Sequence, residues 1–242
     1  MGDSILEYTE TEKDLGILIN RTLNFTEHSN FLYGRANQRC RANQRFGLLK
    51  RTCHFVHSIE KRRVLYLTMV RSLFEHCPII WRPSSDTAVN RLESLQMRAI
   101  KWILKDFSVS YSSNKLLYFT HCKQLNILPI QLRFDYHDLK FLHLVVRNFS
   151  SYLRLFDGSS RLRSTHLDHF SLVSDIKPNG IKSFSSKRGF AHTFFYRAHL
   201  SWNRLPLTLR EIIRPSVFKS MLIKYIWEEL TTTVLDSDDE HG

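Results

Sequence analysis

The sequence predicts a mainly α protein: a helical bundle with a short β hairpin at its N-terminal end and a helical subdomain at its C-terminal end. Three observations carry this expectation. From residue 29 onward apolar side chains recur at helical spacing. Before that point Leu15, Ile17 and Ile19 alternate with other residues, which suits a short pair of strands. Across 242 residues, 43% hydrophobic and 12% aromatic content suffices to bury a core.

Residues 1–28 hold the expected hairpin, and an isolated hairpin is marginal in water, so this part should be the least stable. Residues 29–150 read as a helical bundle. Its first helix is expected from about Ser29 to Arg51. The second starts after Ser58, a suitable N-cap, and runs to about His76 with Ile59, Leu65, Met69 and Leu73 as its apolar stripe. Pro78, Trp81, Pro83 and Ser84-Ser85-Asp86 then make a loop. Asp86 or Thr87 caps a third helix, where Val89, Leu92, Leu95, Ala99 and Ile103 share a face and Arg91, Arg98 and Lys101 take the polar side. A shorter helix holds Leu116 to Lys123. Pro129 opens another that reaches Arg147, with Leu132, Tyr136, Leu139 and Leu142 or His143 inward.

Residues 151–188 are rich in Ser and Gly with little periodicity, a loop or linker. Residues 189–230 form the C-terminal helical segment: a helix from Gly189 to Arg204, a turn at Leu205-Pro206 and a last helix around Val217 to Leu230. In the turn, Trp202 suits a core anchor and Asn203 a backbone partner at the helix end. Residues 231–242 read as a solvated acidic tail, through the run Asp236-Ser237-Asp238-Asp239-Glu240.

Charge is distributed unevenly. The chain carries 35 basic and 23 acidic side chains, a net +12. Residues 31 to 63 carry nine of the basic residues and one acid: Arg35, Arg39, Arg41, Arg45, Lys50, Arg51, Lys61, Arg62 and Arg63, with Glu60. Two readings fit this set. It has the size of a phosphate-contacting surface, with Tyr33 and Phe46 available to stack or pack; it would also serve as a solubilising helix face. Charged faces usually alternate in sign, and the near absence of acids favours nucleic-acid contact.

The same stretch contains a tandem repeat, Arg35-Ala36-Asn37-Gln38-Arg39-Cys40 followed by Arg41-Ala42-Asn43-Gln44-Arg45-Phe46. Six residues turn a helix by about 600°, roughly 120° short of two full turns. Both flanking apolar faces therefore cannot keep register across the repeat, and a helix there must kink, overwind or break. The repeat doubles the arginines on one element, or marks a degenerating copy.

Other classes find less support. No signal peptide and no apolar run near the roughly 20 residues of a spanning helix is present, so an intracellular location, nuclear or cytoplasmic, is expected, with no membrane partner. Cys40, Cys53, Cys77 and Cys122 are then expected as reduced thiols. Cys53 and His57 sit four apart, but no Cys-x-x-Cys spacing supports a structural zinc site. No nucleophile triad, P-loop or dinucleotide fingerprint occurs.

Four blocks in order carry a family resemblance: Lys13-Asp14-Leu15-Gly16; Phe46-Gly47-Leu48-Leu49-Lys50-Arg51; Leu92-Glu93-x-Leu95-Gln96-x-Arg98-Ala99-Ile100-Lys101-Trp102-Ile103; and Trp202-Asn203-Arg204-Leu205-Pro206. In this order the chain resembles the region that follows the catalytic palm in non-LTR (LINE-type) retrotransposon reverse transcriptases, its thumb and connection. The resemblance implies that residues 1–28 correspond to palm-edge strands, and that the helices after them grip a template-primer duplex through its backbone. The nucleic-acid-binding set then comprises the nine basic residues above with Arg98 and Lys101, and the partner is RNA or an RNA/DNA hybrid.

In that family the catalytic carboxylates lie in a Tyr/Phe-x-Asp-Asp hairpin upstream of the block at Lys13. The Asp-Asp pair here, Asp238-Asp239, sits in the acidic run instead. The resemblance thus implies a region with no catalytic residues, no metal site and no cofactor of its own, since magnesium belongs to the complete polymerase. The upstream palm is its partner in any longer product. A stand-alone nucleic-acid-binding protein and a nonfunctional structural relic are the competing readings.

Overall fold

The computed structural model describes residues 9–22, 25–33, 41–83, 85–147 and 194–239. The chain is mainly α, and it divides into two compact units, Met1–Leu125 and Asn126–Gly242. The division falls after Leu125, not near residue 150. The reason is that the helix beyond Pro129 packs with the C-terminal helices. The expected linker, the first copy of the repeat, and with it Arg35 and Arg39, lie outside the described residues.

The first unit begins with strands β1 (Thr11–Asp14) and β2 (Ile17–Asn20), antiparallel, with Asp14 opposite Ile17 and Thr11 opposite Asn20. Leu15 and Gly16 form the two-residue connection at φ 44° and 89°. Positive φ at both centres is what a tight hairpin turn needs, and Gly16 supplies it without strain. Leu15 is therefore 83% exposed at the turn tip and shares no face with Ile17, which is buried.

Helix α1 (Thr26–Tyr33) starts earlier than expected, and α2 (Arg41–Thr52) opens with the second copy of the repeat. Helix α3 (Ile59–Met69) starts at the predicted cap, where Ser58 Oγ accepts from the Lys61 amide at 3.4 Å. It gives way to a 3-10 turn, Arg71–Leu73, before reaching His76. Its buried side is not the expected stripe. Arg62, Tyr66, Val70 and Phe74, four apart, face the core, whereas Ile59 and Met69 are exposed.

The expected loop at 78–83 contains a single helical turn, α4 (Pro78–Trp81), opened by Pro78 at its first position. Trp81 is fully buried there and donates its indole N–H to the His76 carbonyl at 2.6 Å. Helix α5 (Asp86–Leu104) buries Val89, Leu92, Leu95, Ala99 and Ile103 as predicted, and Gln96, Ile100 and Trp102 beside them. Ser85 is its N-cap residue; Asp86 instead places a carboxylate in the first turn, favourable to the helix dipole. Helix α6 (Lys115–Gln124) is capped by Asn114 Oδ1, which accepts from the Leu117 amide at 2.8 Å.

The second unit contains α7 (Ile130–Arg147), α8 (Phe194–Arg204), the short α9 (Leu207–Arg210) and α10 (Pro215–Asp239). Trp202, fully buried, sits in a core with Leu139, Leu209, Phe218 and Leu222. Helix α10 runs on through residues 231–239, so the stretch read as a solvated acidic tail begins as helix. Burying so many side chains from four helices, at roughly 25 cal/mol per Å² of apolar area, is the main favourable term for this unit.

Polar contacts within the same core fix its geometry. Arg197 on α8 forks onto Asp138 of α7 through Nε at 2.7 Å and Nη2 at 3.3 Å, with Asp138 buried. His143 stacks on Phe218 at 4.0 Å between ring centroids and bonds the Ile212 carbonyl through Nε2 at 2.7 Å. Among the described residues, no helix is long and apolar enough to cross a membrane.

Candidate nucleic-acid interface

All the described members of the predicted basic set belong to the first unit. Helix α2 presents several of them because its apolar residues claim one side: Ala42, Phe46 and Leu49 are buried, at positions i, i+4 and i+7. With about 100° per residue, Arg45 and Lys50 flank that side in opposite directions, and Arg51 points away from it. All three are exposed. The cations of α2 thus surround its solvent side rather than form a single stripe. Arg41 opens the helix.

Lys50 Nζ lies 5.7 Å from the Phe46 ring centroid, so its stem covers an aromatic that anchors α2. Arg98, exposed on α5, donates from Nη2 to Asn43 Oδ1 at 2.7 Å and joins α5 to the second repeat copy. On the same helix Lys101 is partly buried, its Nζ 5.4 Å from the Tyr111 ring centroid. Lys61 is exposed near the start of α3.

Arg62 is a correction to the predicted set. It is 2% exposed and its guanidinium donates to two backbone carbonyls, Trp102 at 2.6 Å and His57 at 2.5 Å, while lying 5.9 Å from the Trp102 ring. Burial lowers its pKa from the usual arginine value. This side chain locks the loop before α3 to the end of α5. Arg63 is largely spent in the same way: Nε donates to the Leu125 carbonyl and Nη1 meets Glu60 at 3.0 Å. Neither presents a free cation, because α3 turns the arginine side toward the core.

A buried polar network behind this surface was missed in the sequence. Tyr66 donates its hydroxyl to Gln96 Oε1 at 3.3 Å, Gln96 Nε2 donates to Tyr118 Oη at 2.9 Å, and the Tyr118 hydroxyl donates to Glu93. It joins α3, α5 and α6. Burial pushes the Tyr66 and Tyr118 hydroxyls above the usual phenol range, which keeps them protonated as donors, and it raises the Cys122 thiol likewise. Glu93 and Gln96 belong to the third sequence block. Their role here is structural, and the signal available was two polar residues flanking the apolar stripe.

Lys105, absent from the predicted set, donates from Nζ to His57 Nδ1 at 2.8 Å. Among the described residues, no group of three or more His, Cys, Asp or Glu side chains is arranged to hold a metal ion. Cys53, Cys77 and Cys122 are free cysteines. No protein-family model, curated protein or solved structure matches this chain.

Proposed function

We propose that this chain is the post-palm thumb and connection region of a non-LTR retrotransposon reverse transcriptase, and that its first unit holds RNA or an RNA/DNA hybrid through the phosphate backbone. The observation that carries the reading is the exposure of Arg45, Lys50, Arg51, Lys61 and Arg98 on helices held in place by Arg62, Trp102 and the Gln96 network. Cations on a stiff framework position a duplex and read no sequence. On this reading the chain is not itself an enzyme. The polymerisation chemistry, with its magnesium, belongs to the palm, and the protein works inside the cell where its nucleic acid is.

The test is the affinity of the purified chain for a base-paired RNA and an RNA/DNA hybrid across a salt series. Five phosphate contacts give a log–log slope of about −4, hence a loss of about two orders of magnitude between 50 and 200 mM salt. A folded protein that binds neither duplex at low salt refutes the reading. The spread of Arg45, Lys50 and Arg51 around α2 favours the alternative, a structural relic whose cations only solubilise it, and that null result would support it.

A further inference from the structure

One corner of the first unit combines two exposed aromatic rings with cations. Phe55 is 64% exposed and Phe107 62% exposed, although each sits in a short connection next to well-buried helices. Isolated exposed apolar residues are normal on a protein surface. These two are not isolated, because the contacts between their loops bring them to the same corner. Lys105, two residues before Phe107, bonds His57, two residues after Phe55, and Arg62 bridges the His57 and Trp102 carbonyls.

Both loops are also held firmly. Around Phe55, the Val56 amide donates to the Cys53 carbonyl at 3.1 Å, and the His54 ring bonds the Arg51 carbonyl at 3.0 Å while meeting Phe55 edge-on at 5.7 Å. Around Phe107, Asp106 accepts from the Ser108 amide at 3.2 Å and from its hydroxyl at 2.7 Å, a side-chain turn that leaves Phe107 at its tip. The rings are thus displayed rather than left loose. Local charge is positive: Arg51, Lys61 and Lys105 are exposed, while Asp106 is engaged with Ser108 and Glu60 with Arg63.

Exposed aromatic faces beside cations suit unpaired bases, which stack on rings while the cations meet their phosphates. Along its length a duplex has no free base faces to offer, so this corner does something the helical cations do not. We propose that Phe55 and Phe107 form a stacking platform for single-stranded nucleic acid, with Lys105 and Lys61 placed to contact its backbone. The inference rests on the reading of the first unit as a nucleic-acid binder and adds the substrate class of this corner.

The experiment compares binding of a blunt RNA duplex, the same duplex with a ten-nucleotide single-stranded extension, and a uridine oligomer, to the full chain. Phe55→Ala and Phe107→Ala are each expected to lose about tenfold in affinity for the oligomer and to remove the gain from the extension, with the blunt duplex unaffected. Phe55→Tyr with Phe107→Tyr should retain single-strand binding. Native protein that binds the blunt duplex but gains nothing from the extension overturns the platform alone; failure to bind any of the three overturns the duplex reading with it. If the alanine variants change self-association and leave the oligomer affinity untouched, the rings dock protein and the platform is refuted.

Discussion

Replacing Arg62 by Met should destabilise the first unit and leave phosphate binding as it is. The guanidinium makes two bonds to buried or partly buried carbonyls, at Trp102 and His57. Hydrogen bonds from a charged donor contribute about 1.5–3 kcal/mol each, so the gross loss is about 3–6 kcal/mol. Methionine preserves most of the apolar stem, and removing a buried charge recovers part of its desolvation cost, which brings the net loss to about 2–4 kcal/mol. At about 4 °C per kcal/mol for a unit of this size, the melting temperature should fall by about 8–16 °C. Thermal unfolding followed by circular dichroism reads the first effect, and the salt slope of duplex binding below the melting range reads the second. Lys61→Ala is the counterpart: its melting should match the native protein, and its salt slope should become shallower by roughly one contact. If Arg62→Met melts with the native protein and shows the shallower slope instead, its side chain lies on the surface and the structural assignment fails.

Other substitutions probe the same framework. A Cβ built at Gly47 meets nothing nearer than Arg51 Nη1 at 3.6 Å, so Gly47→Ala should stabilise α2 by about 0.5–1 kcal/mol, read as a raised denaturation midpoint. Asp138→Ala should cost about 3 kcal/mol in the second unit by removing the buried carboxylate that Arg197 forks onto, and Arg197→Met in the same chain should recover part of it in chemical denaturation. The His28 pKa is lowered from 6.5 to about 4, by burial and then by His76. Its neutral Nδ1 accepts from the Leu18 amide at 3.2 Å, which holds the hairpin to α1. The unfolded chain therefore binds more protons than the folded one between those values: no stability is lost above about 6.5, and stability falls progressively as pH drops toward 4. His143, lowered mainly by burial, acts in the same direction in the second unit. Nuclear magnetic resonance titration of the His28 ring checks this, and a pKa at or above 6.5 contradicts it.

Much of the architecture was legible because a few helices obey a single rule. On α5 the apolar residues recur with the helical period, and Ser58 starts α3 as its side chain suggests. Trp202 likewise takes its predicted place in the core, whereas Pro129, expected as the first helical residue, stands just before α7. The face of α3 was illegible for a physical reason. Ile59 is six residues from Leu65, about 240° around the helix, so the two never shared a side. The true inner side carries an arginine whose donors are satisfied by carbonyls from distant segments, and no local pattern records such partners. The division after Leu125 was equally hidden. Its local mark is Asn126 at φ 49°, a left-handed residue just past α6, and asparagine tolerates that conformation better than most. For the candidate interface, sequence supplied the exposed cations Arg45, Lys50, Arg51, Lys61 and Arg98. It included Arg62 and Arg63 and left out Lys105, because charge count does not reveal which way a helix is turned.

The relay through Tyr66, Gln96, Tyr118 and Glu93 has a consequence for how such a chain can drift. Gln96 spends both ends of its amide on phenols 30 residues before it and 22 residues after it. A leucine at 96 would strand the buried Tyr66 hydroxyl and leave Tyr118 its bond to Glu93, whereas phenylalanine at 66 would remove the donor to Gln96 Oε1. Either change alone passes through a less stable protein, and the two together leave no donor behind. In related chains positions 66 and 96 should therefore change together or not at all, appearing as linked columns even where the surrounding helices have diverged.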